Sequence, residues 1–86
     1  MNTKEAKNIL DEILELCSQI EDQILNDAAD GIYRDAQASK TPEQVLGCAS
    51  ELMIFVNDTP WDDHDPEIKF EMEKLFIDLQ EGCEDF

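Results

Sequence analysis

Apolar residues recur along this chain every three or four positions, the spacing that places them on one face of an α-helix. The first such pattern predicts one helix from about Thr3 to Leu25, capped by Thr3 and acidic on its opposite face. A weaker helical pattern restarts at Asp27 and ends at Ser39. The pattern leaves open whether a turn near Asn26 separates these two segments.

The third helical segment has a clear start signal. Thr41 fits the N-cap, Pro42 fits the first helical turn, and Gln44 completes a capping box. The following apolar stripe is broad, which is typical of a helix that contacts several neighbours. We expect this helix to end near Asn57.

The last segment repeats the same start signal with Asp65, Pro66 and Glu67, and Gly82 is predicted to stop it. No segment shows the alternation of a β-strand. Four helices with short connections predict an all-α fold, a compact four-helix bundle of antiparallel style. Residues 1–86 are expected to form a single domain.

The charge balance narrows the classes of partner. The chain has 22 Asp and Glu against 6 Lys and Arg, a formal net charge of −16. Such a field opposes contact with DNA, RNA or an anionic membrane, and it favours a basic protein surface. The alternative interpretation is that the acidity only keeps the protein in solution.

The segment of residues 57–67, here called the acidic connection, joins the two most clearly marked helices. It contains five carboxylates, the only Trp and the only His of the chain. Connections between packed helices lie on the surface, where function often concentrates. Its Trp either covers the core or forms an exposed interface anchor. The predicted partner-binding residues are Asp58, Trp61, Asp62, Asp63, Asp65 and Glu67.

Signatures of an enzyme are scarce in this chain. Its three Gly residues are isolated, so no glycine-rich phosphate loop is present, and a single His argues against triads and His-based metal sites. The acidic connection also lacks the central Gly and terminal Glu of an EF-hand. The sequence therefore predicts a binding protein with no catalytic residue, no metal and no cofactor.

The cysteines and the N-terminus indicate the compartment. Cys17 and Cys48 fall on apolar helical faces and are expected to be buried, while Cys83 is predicted to be a free thiol in a polar tail. Their number and wide spacing do not form a disulfide framework. Without a signal-peptide pattern or a membrane-spanning apolar run, we expect a cytoplasmic protein.

The region from Thr41 to Leu79 resembles the colicin D immunity protein family. Thr41-Pro42, Leu46, Cys48 and Glu51-Leu52, followed by an acidic loop, stand in the order in which that family has Ser-Pro, Leu, Cys and Glu-Leu. The resemblance implies an all-helical acidic inhibitor of a tRNA-cleaving toxin. Such an inhibitor covers the basic active-site cleft and replaces the phosphates of the substrate.

The resemblance transfers only partly to the acidic connection. Asp62 falls on an acidic loop position of the family, whereas Asn57 and Pro60 stand where the family tends to have Glu. The missing carboxylates could be replaced by three others in the acidic connection: Asp58, Asp63 and Asp65.

The sequence is therefore consistent with three functions. The first is an immunity-type inhibitor of a nuclease toxin, a basic protein partner. The second is a phage-encoded nucleic-acid mimic or anti-CRISPR protein, which acid spread along the first helix would favour. The third is a helical adaptor or dimerisation module without a nuclease target. The sequence leaves the oligomeric state open.

Overall fold

The computed structural model describes the backbone of residues 1–84 and the side chains of residues 1–83. It contains α1 (Thr3–Cys17), α2 (Gln23–Ala38), α3 (Pro42–Asp58), a short 3₁₀ helix (Trp61–Asp63) and α4 (Pro66–Glu84). Residues 1–84 contain no β-strand. The predicted all-α bundle of four helices is confirmed.

The central pair of the bundle is α1 and α3, each of which packs against the three other helices. The molecule measures 39 × 22 × 16 Å along its principal axes. Each helix contributes one apolar face to a single core. The buried apolar residues are Ala6, Leu10, Ile13, Cys17, Ile20, Leu25, Ala29, Ile32, Ala36, Val45, Ala49, Leu52, Met53, Val56, Met72, Leu79 and Cys83.

The first predicted helix is in fact two helices. Since α1 ends at Cys17 and α2 begins at Gln23, the expected continuous helix to Leu25 is wrong. Asp22 caps α2, where its side chain accepts a 2.9 Å hydrogen bond from the Leu25 backbone N–H. Ile20 lies in the connection but is only 2% exposed, so apolar spacing continues through a non-helical segment. This continuity hid the break.

The side chain of Asn26 also stabilises this connection. Its Nδ2 donates to the backbone oxygen of Ile20 at 2.9 Å. The chain break therefore precedes Asn26, and the predicted restart at Asp27 comes four residues too late. Asn26 holds the turn from within α2.

The cap of α1 also differs from the prediction. Asn2, rather than Thr3, is the N-cap, and its Oδ1 accepts a 2.8 Å hydrogen bond from the Glu5 backbone N–H. The Thr3 hydroxyl instead donates to the backbone oxygen of Lys40 at 3.0 Å. Thr3 thus ties the start of α1 to the connection between α2 and α3.

The start signals of α3 and α4 are confirmed. Thr41 Oγ1 accepts from the Gln44 N–H at 3.2 Å, while Gln44 Oε1 accepts from the Lys40 N–H at 2.6 Å. The second bond reaches one residue further back than in a standard capping box. Asp65 Oδ1 accepts from the Glu67 N–H at 3.0 Å, and α4 begins at the intervening proline.

The predicted stop at Gly82 is wrong, because α4 continues to Glu84. Gly82 packs against the Met1 side chain, and a Cβ at this position would lie only 3.1 Å from Met1 Sδ. Gly82 therefore lies inside α4, close to the N-terminus, and does not mark the end of the helix. Residues 85–86 of the predicted tail lie outside the described residues.

The three cysteines are free thiols with different surroundings. Cys17 is fully buried as predicted, whereas Cys48 is only half-buried. Cys83 lies in α4 rather than in a polar tail and is 8% exposed. Its thiol donates to the backbone oxygen of Pro42 at 3.5 Å, which joins the end of α4 to the start of α3. No helix in the described part of the chain has the length and apolarity needed to span a membrane.

Candidate partner-binding surface

The acidic connection begins at the C-terminus of α3, which Thr59 caps through two hydrogen bonds. The backbone N–H of Thr59 donates to the Val56 oxygen at 3.3 Å, and the Thr59 hydroxyl donates to the Phe55 oxygen at 2.8 Å. Thr59 is 8% exposed, so both bonds are largely protected from water. Asp58, the last residue of α3, is therefore held at a defined position with its side chain in solvent.

Trp61 fastens the middle of the connection to the core. The indole is half-buried against the core, and its Nε1 donates to the Val56 backbone oxygen at 2.7 Å. The ring of His64 meets it edge-on, with the two centroids 6.0 Å apart. The only polar atom of the indole is thus already satisfied within the chain. Part of the ring remains accessible, so Trp61 combines a structural role with some exposed surface.

The carboxylates of the connection lie on the outside. The predicted acidic site residues, all five of them, are exposed: Asp58, Asp62, Asp63, Asp65 and Glu67. Asp62 and Asp63 are presented by the 3₁₀ helix, and Asp65 caps α4 through its backbone contact. Among the side chains of residues 1–83, the one ion pair is Lys69–Glu73 at 4.0 Å. The negative charge of the connection is therefore not neutralised by neighbouring Lys or Arg.

Acidic side chains also cover other parts of the surface. On α1, the exposed carboxylates are Glu5, Asp11, Glu12 and Glu15. Each of the other three helices carries exposed acidic residues as well. The connection is distinguished by the density of its charge and by its fastening to the core.

The described side chains bring together no group of three His, Cys, Asp or Glu residues that could hold a metal ion. Burial raises the pKa of the Cys17 thiol from its ordinary value of 9.0 to about 11. Burial also raises the pKa of Cys83, with a further rise from Glu43 and an opposing effect of the N-terminal amine. Because a nucleophilic cysteine needs a lowered pKa, both thiols have the character of structural residues.

Several exposed apolar side chains were not recognised from the sequence. Ile24 continues the apolar spacing of the first predicted helix, but it is 73% exposed, while its neighbour Leu25 is buried. Phe55 is 38% exposed at the end of α3. The sequence signal for the exposure of Ile24 is Asp22. As an N-cap it starts a new helix, and the residues after it need not continue the apolar face of the preceding helix.

No protein-family model, curated protein or solved structure matches this chain. The resemblance of residues 41–79 to the colicin D immunity family therefore stays a prediction.

Proposed function

We propose that this chain is a small inhibitor that binds the basic active-site cleft of a nuclease toxin. A tRNA-cleaving toxin is the first candidate, in line with the resemblance described above. The observation that carries this proposal is the group of exposed, unpaired carboxylates on a connection fastened by Trp61. Such an inhibitor would act in the cytoplasm, where a tRNA-cleaving toxin meets its substrate.

The proposed mechanism is occlusion of the phosphate sites. Carboxylates of the acidic connection bind the Lys and Arg side chains that otherwise hold the substrate's phosphates, and charge-assisted hydrogen bonds strengthen each contact. Because Thr59 and Trp61 already hold the connection, little conformational entropy is lost when the partner binds. The inhibitor needs no chemistry of its own.

Electrostatic steering should dominate the association rate. The net charge of −16 attracts a basic cleft from a distance, and salt screens this attraction over about 8–10 Å at physiological ionic strength. Association is therefore expected to slow strongly as salt increases. Dissociation depends on the close contacts and should change less.

The test is inhibition of purified basic ribonuclease domains, including a tRNA-cleaving colicin-type domain, measured as cleavage of tRNA. Inhibition is expected to reach its end point at one inhibitor per nuclease. The triple variant Asp62→Asn, Asp63→Asn and Asp65→Asn should weaken inhibition by a factor of about 100 or more, since charged hot-spot residues each contribute about 1–3 kcal/mol. Asn at position 65 keeps the ability to cap α4.

The matched control removes three exposed charges from α1: Asp11→Asn, Glu12→Gln and Glu15→Gln. It changes the net charge by the same amount and should weaken inhibition by less than about tenfold, mainly through slower association. Equal losses in the two triple variants would contradict a site centred on the acidic connection.

A nucleic-acid mimic is the second candidate function. The exposed acids along α1 favour it, because a long nucleic-acid-binding cleft contacts an extended array of charge. Under this alternative the two triple variants lose affinity equally, and the target is a nucleic-acid-binding protein with an elongated basic groove.

A further inference from the structure

A shallow groove lies beside the acidic connection, between the start of α2 and the end of α3. Its volume is about 200 Å³. The lining combines apolar and acidic side chains from both helices and from the connection itself. The lining residues are Asp22, Ile24, Phe55, Asp58, Thr59 and Pro60.

The apolar floor of this groove faces solvent. Ile24 is 73% exposed and Phe55 is 38% exposed, although most other large apolar side chains of the bundle are buried or half-buried. Asp22 and Asp58 contribute the acidic part of the lining, and of the described side chains that line the groove none is Lys or Arg. An apolar surface bordered by unneutralised carboxylates fits a ligand that is both apolar and cationic.

We propose that the groove receives an Arg or Lys side chain of a basic protein partner. The aliphatic stem of that side chain lies on Ile24 and Phe55, and its cationic head reaches the carboxylates of Asp22 and Asp58. Long basic side chains commonly bury their stems in this manner while the charge stays in a polar environment. The inference rests on the proposed function, because Asp58 belongs both to the groove and to the acidic connection.

Charge complementarity selects this occupant over a second copy of the chain. Two copies would each bring a net charge of −16, and none of the described side chains that line the groove is basic and could offset their repulsion. Nucleic acid is disfavoured for the same reason. A basic partner instead gains from both the acids and the apolar floor.

A second exposed apolar surface, on α4, provides the comparison. Phe70 is 71% exposed and Ile77 is 50% exposed, and Lys74 lies among the residues beside them. A cation is therefore already present on that surface. Its lining also includes Glu71 and Glu73, so it resembles the groove in apolar exposure and in having two carboxylates, and it differs by having a cation beside them.

The probe for the groove is a synthetic helical peptide that carries Arg and Leu on one face. A second peptide replaces each Leu by Ser and keeps the same charge. Binding is measured by the shifts of backbone amide signals in a ¹⁵N-labelled sample of the full chain. The Arg–Leu peptide should shift the amides of residues 22–25 and 55–59 and bind about tenfold more tightly than the Arg–Ser peptide.

Two pairs of substitutions test which surface binds. Ile24→Ser with Phe55→Ser should reduce the affinity for the Arg–Leu peptide about tenfold, whereas Phe70→Ser with Ile77→Ser should leave it nearly unchanged. Asp22→Asn with Asp58→Asn removes the charge but preserves the α2 cap, so it tests the groove without unfolding the helix. This pair should also reduce the affinity about tenfold.

Each contrary outcome has a defined meaning. A larger loss from the α4 pair, or equal affinity for the two peptides, would overturn the inference. Self-association that disappears in Ile24→Ser with Phe55→Ser would make a second copy the occupant and would also overturn it. If these groove variants still inhibit the nuclease fully while the Asp62, Asp63 and Asp65 variant does not, the proposed function stands and only the groove fails. Peptide binding in the groove without inhibition of any nuclease would contradict the proposed function alone.

Discussion

Trp61 shows how one side chain can link the core to the candidate site. Its indole is half-buried, and the N–H group donates to the Val56 oxygen at 2.7 Å. That oxygen also accepts the Thr59 N–H, so a single carbonyl closes α3 and holds the connection. The placement of the carboxylates of the acidic connection therefore depends on this tryptophan.

Replacing Trp61 by Phe should lower the free energy of unfolding by about 1–2 kcal/mol, since it removes one hydrogen bond and part of the ring's packing. Chemical denaturation followed by circular dichroism measures the change. Phe70→Ser is the control, and it should change stability by no more than about 0.5 kcal/mol because Phe70 is 71% exposed. A neutral Trp61→Phe variant would show that the indole does not fasten the connection.

Cys17 gives a prediction about alkaline pH. Its folded-state pKa is about 11, while the unfolded chain loses the proton near the ordinary value of 9.0. Between these values the unfolded state binds fewer protons, so stability is complete below pH 9 and falls by up to about 1.4 kcal/mol per pH unit until about pH 11. The Cys17→Ala variant has no thiol at this position, so this contribution to the loss of stability is absent from it. The stability advantage of the unsubstituted chain over Cys17→Ala should therefore shrink between pH 8 and pH 10.5 in denaturant titrations; a constant difference would contradict the burial effect.

At the scale of helices, the connection between α1 and α2 depends on local polar contacts. The Asp22 carboxylate accepts the Leu25 N–H at 2.9 Å, and the Asn26 side chain donates to the Ile20 oxygen at 2.9 Å. The Ile20 side chain, which precedes both residues in the connection, is 2% exposed. The turn is therefore a fixed part of the bundle, and it positions the floor of the groove.

Replacing Asp22 by Ala should lower the free energy of unfolding by about 1 kcal/mol, the usual effect of losing an N-cap. Asp22→Asn should change it by only a few tenths of a kcal/mol, because Asn caps a helix equally well. Thermal or chemical unfolding distinguishes the two. Asp30→Ala on the exposed face of α2 controls for the loss of a charge and should have little effect on stability. Similar losses in Asp22→Asn and Asp22→Ala would point to charge rather than capping.

For the molecule as a whole, charge opposes folding. The net charge is −16, and the one ion pair among the described side chains is Lys69–Glu73. Bringing so many carboxylates onto a bundle of 39 × 22 × 16 Å creates repulsion that the expanded chain largely avoids. The core must offset this repulsion.

Salt should therefore stabilise the protein. Raising NaCl from 10 mM to 500 mM shortens the screening length to a few ångströms and is expected to raise Tm by about 5 °C. Differential scanning calorimetry measures this shift. The α1 variant Asp11→Asn, Glu12→Gln and Glu15→Gln should show a smaller rise, because it starts with less repulsion. A fall in Tm with added NaCl would show that attractive ion pairs dominate instead.

Sequence patterns were sufficient where the decisive interactions are local. Thr41 and Asp65 cap their helices through hydrogen bonds that span two or three residues, so the starts of α3 and α4 could be predicted. The all-α class and the exposure of the five acidic site residues also followed, because helical periodicity and a dense run of carboxylates each leave few alternatives. Capping and charge are properties of neighbours in sequence.

Contacts between distant residues determined the rest. The break after Cys17 was hidden because Ile20 is buried by tertiary packing outside a helix, which continues the apolar spacing. Gly82 lies inside α4 beside Met1 from the other end of the chain, a proximity that the sequence pattern does not show. Trp61 is half-buried, and Ile24 is exposed although it continues the apolar spacing of the first predicted helix. Burial depends on which helices meet in space, and periodicity along one segment does not contain that information.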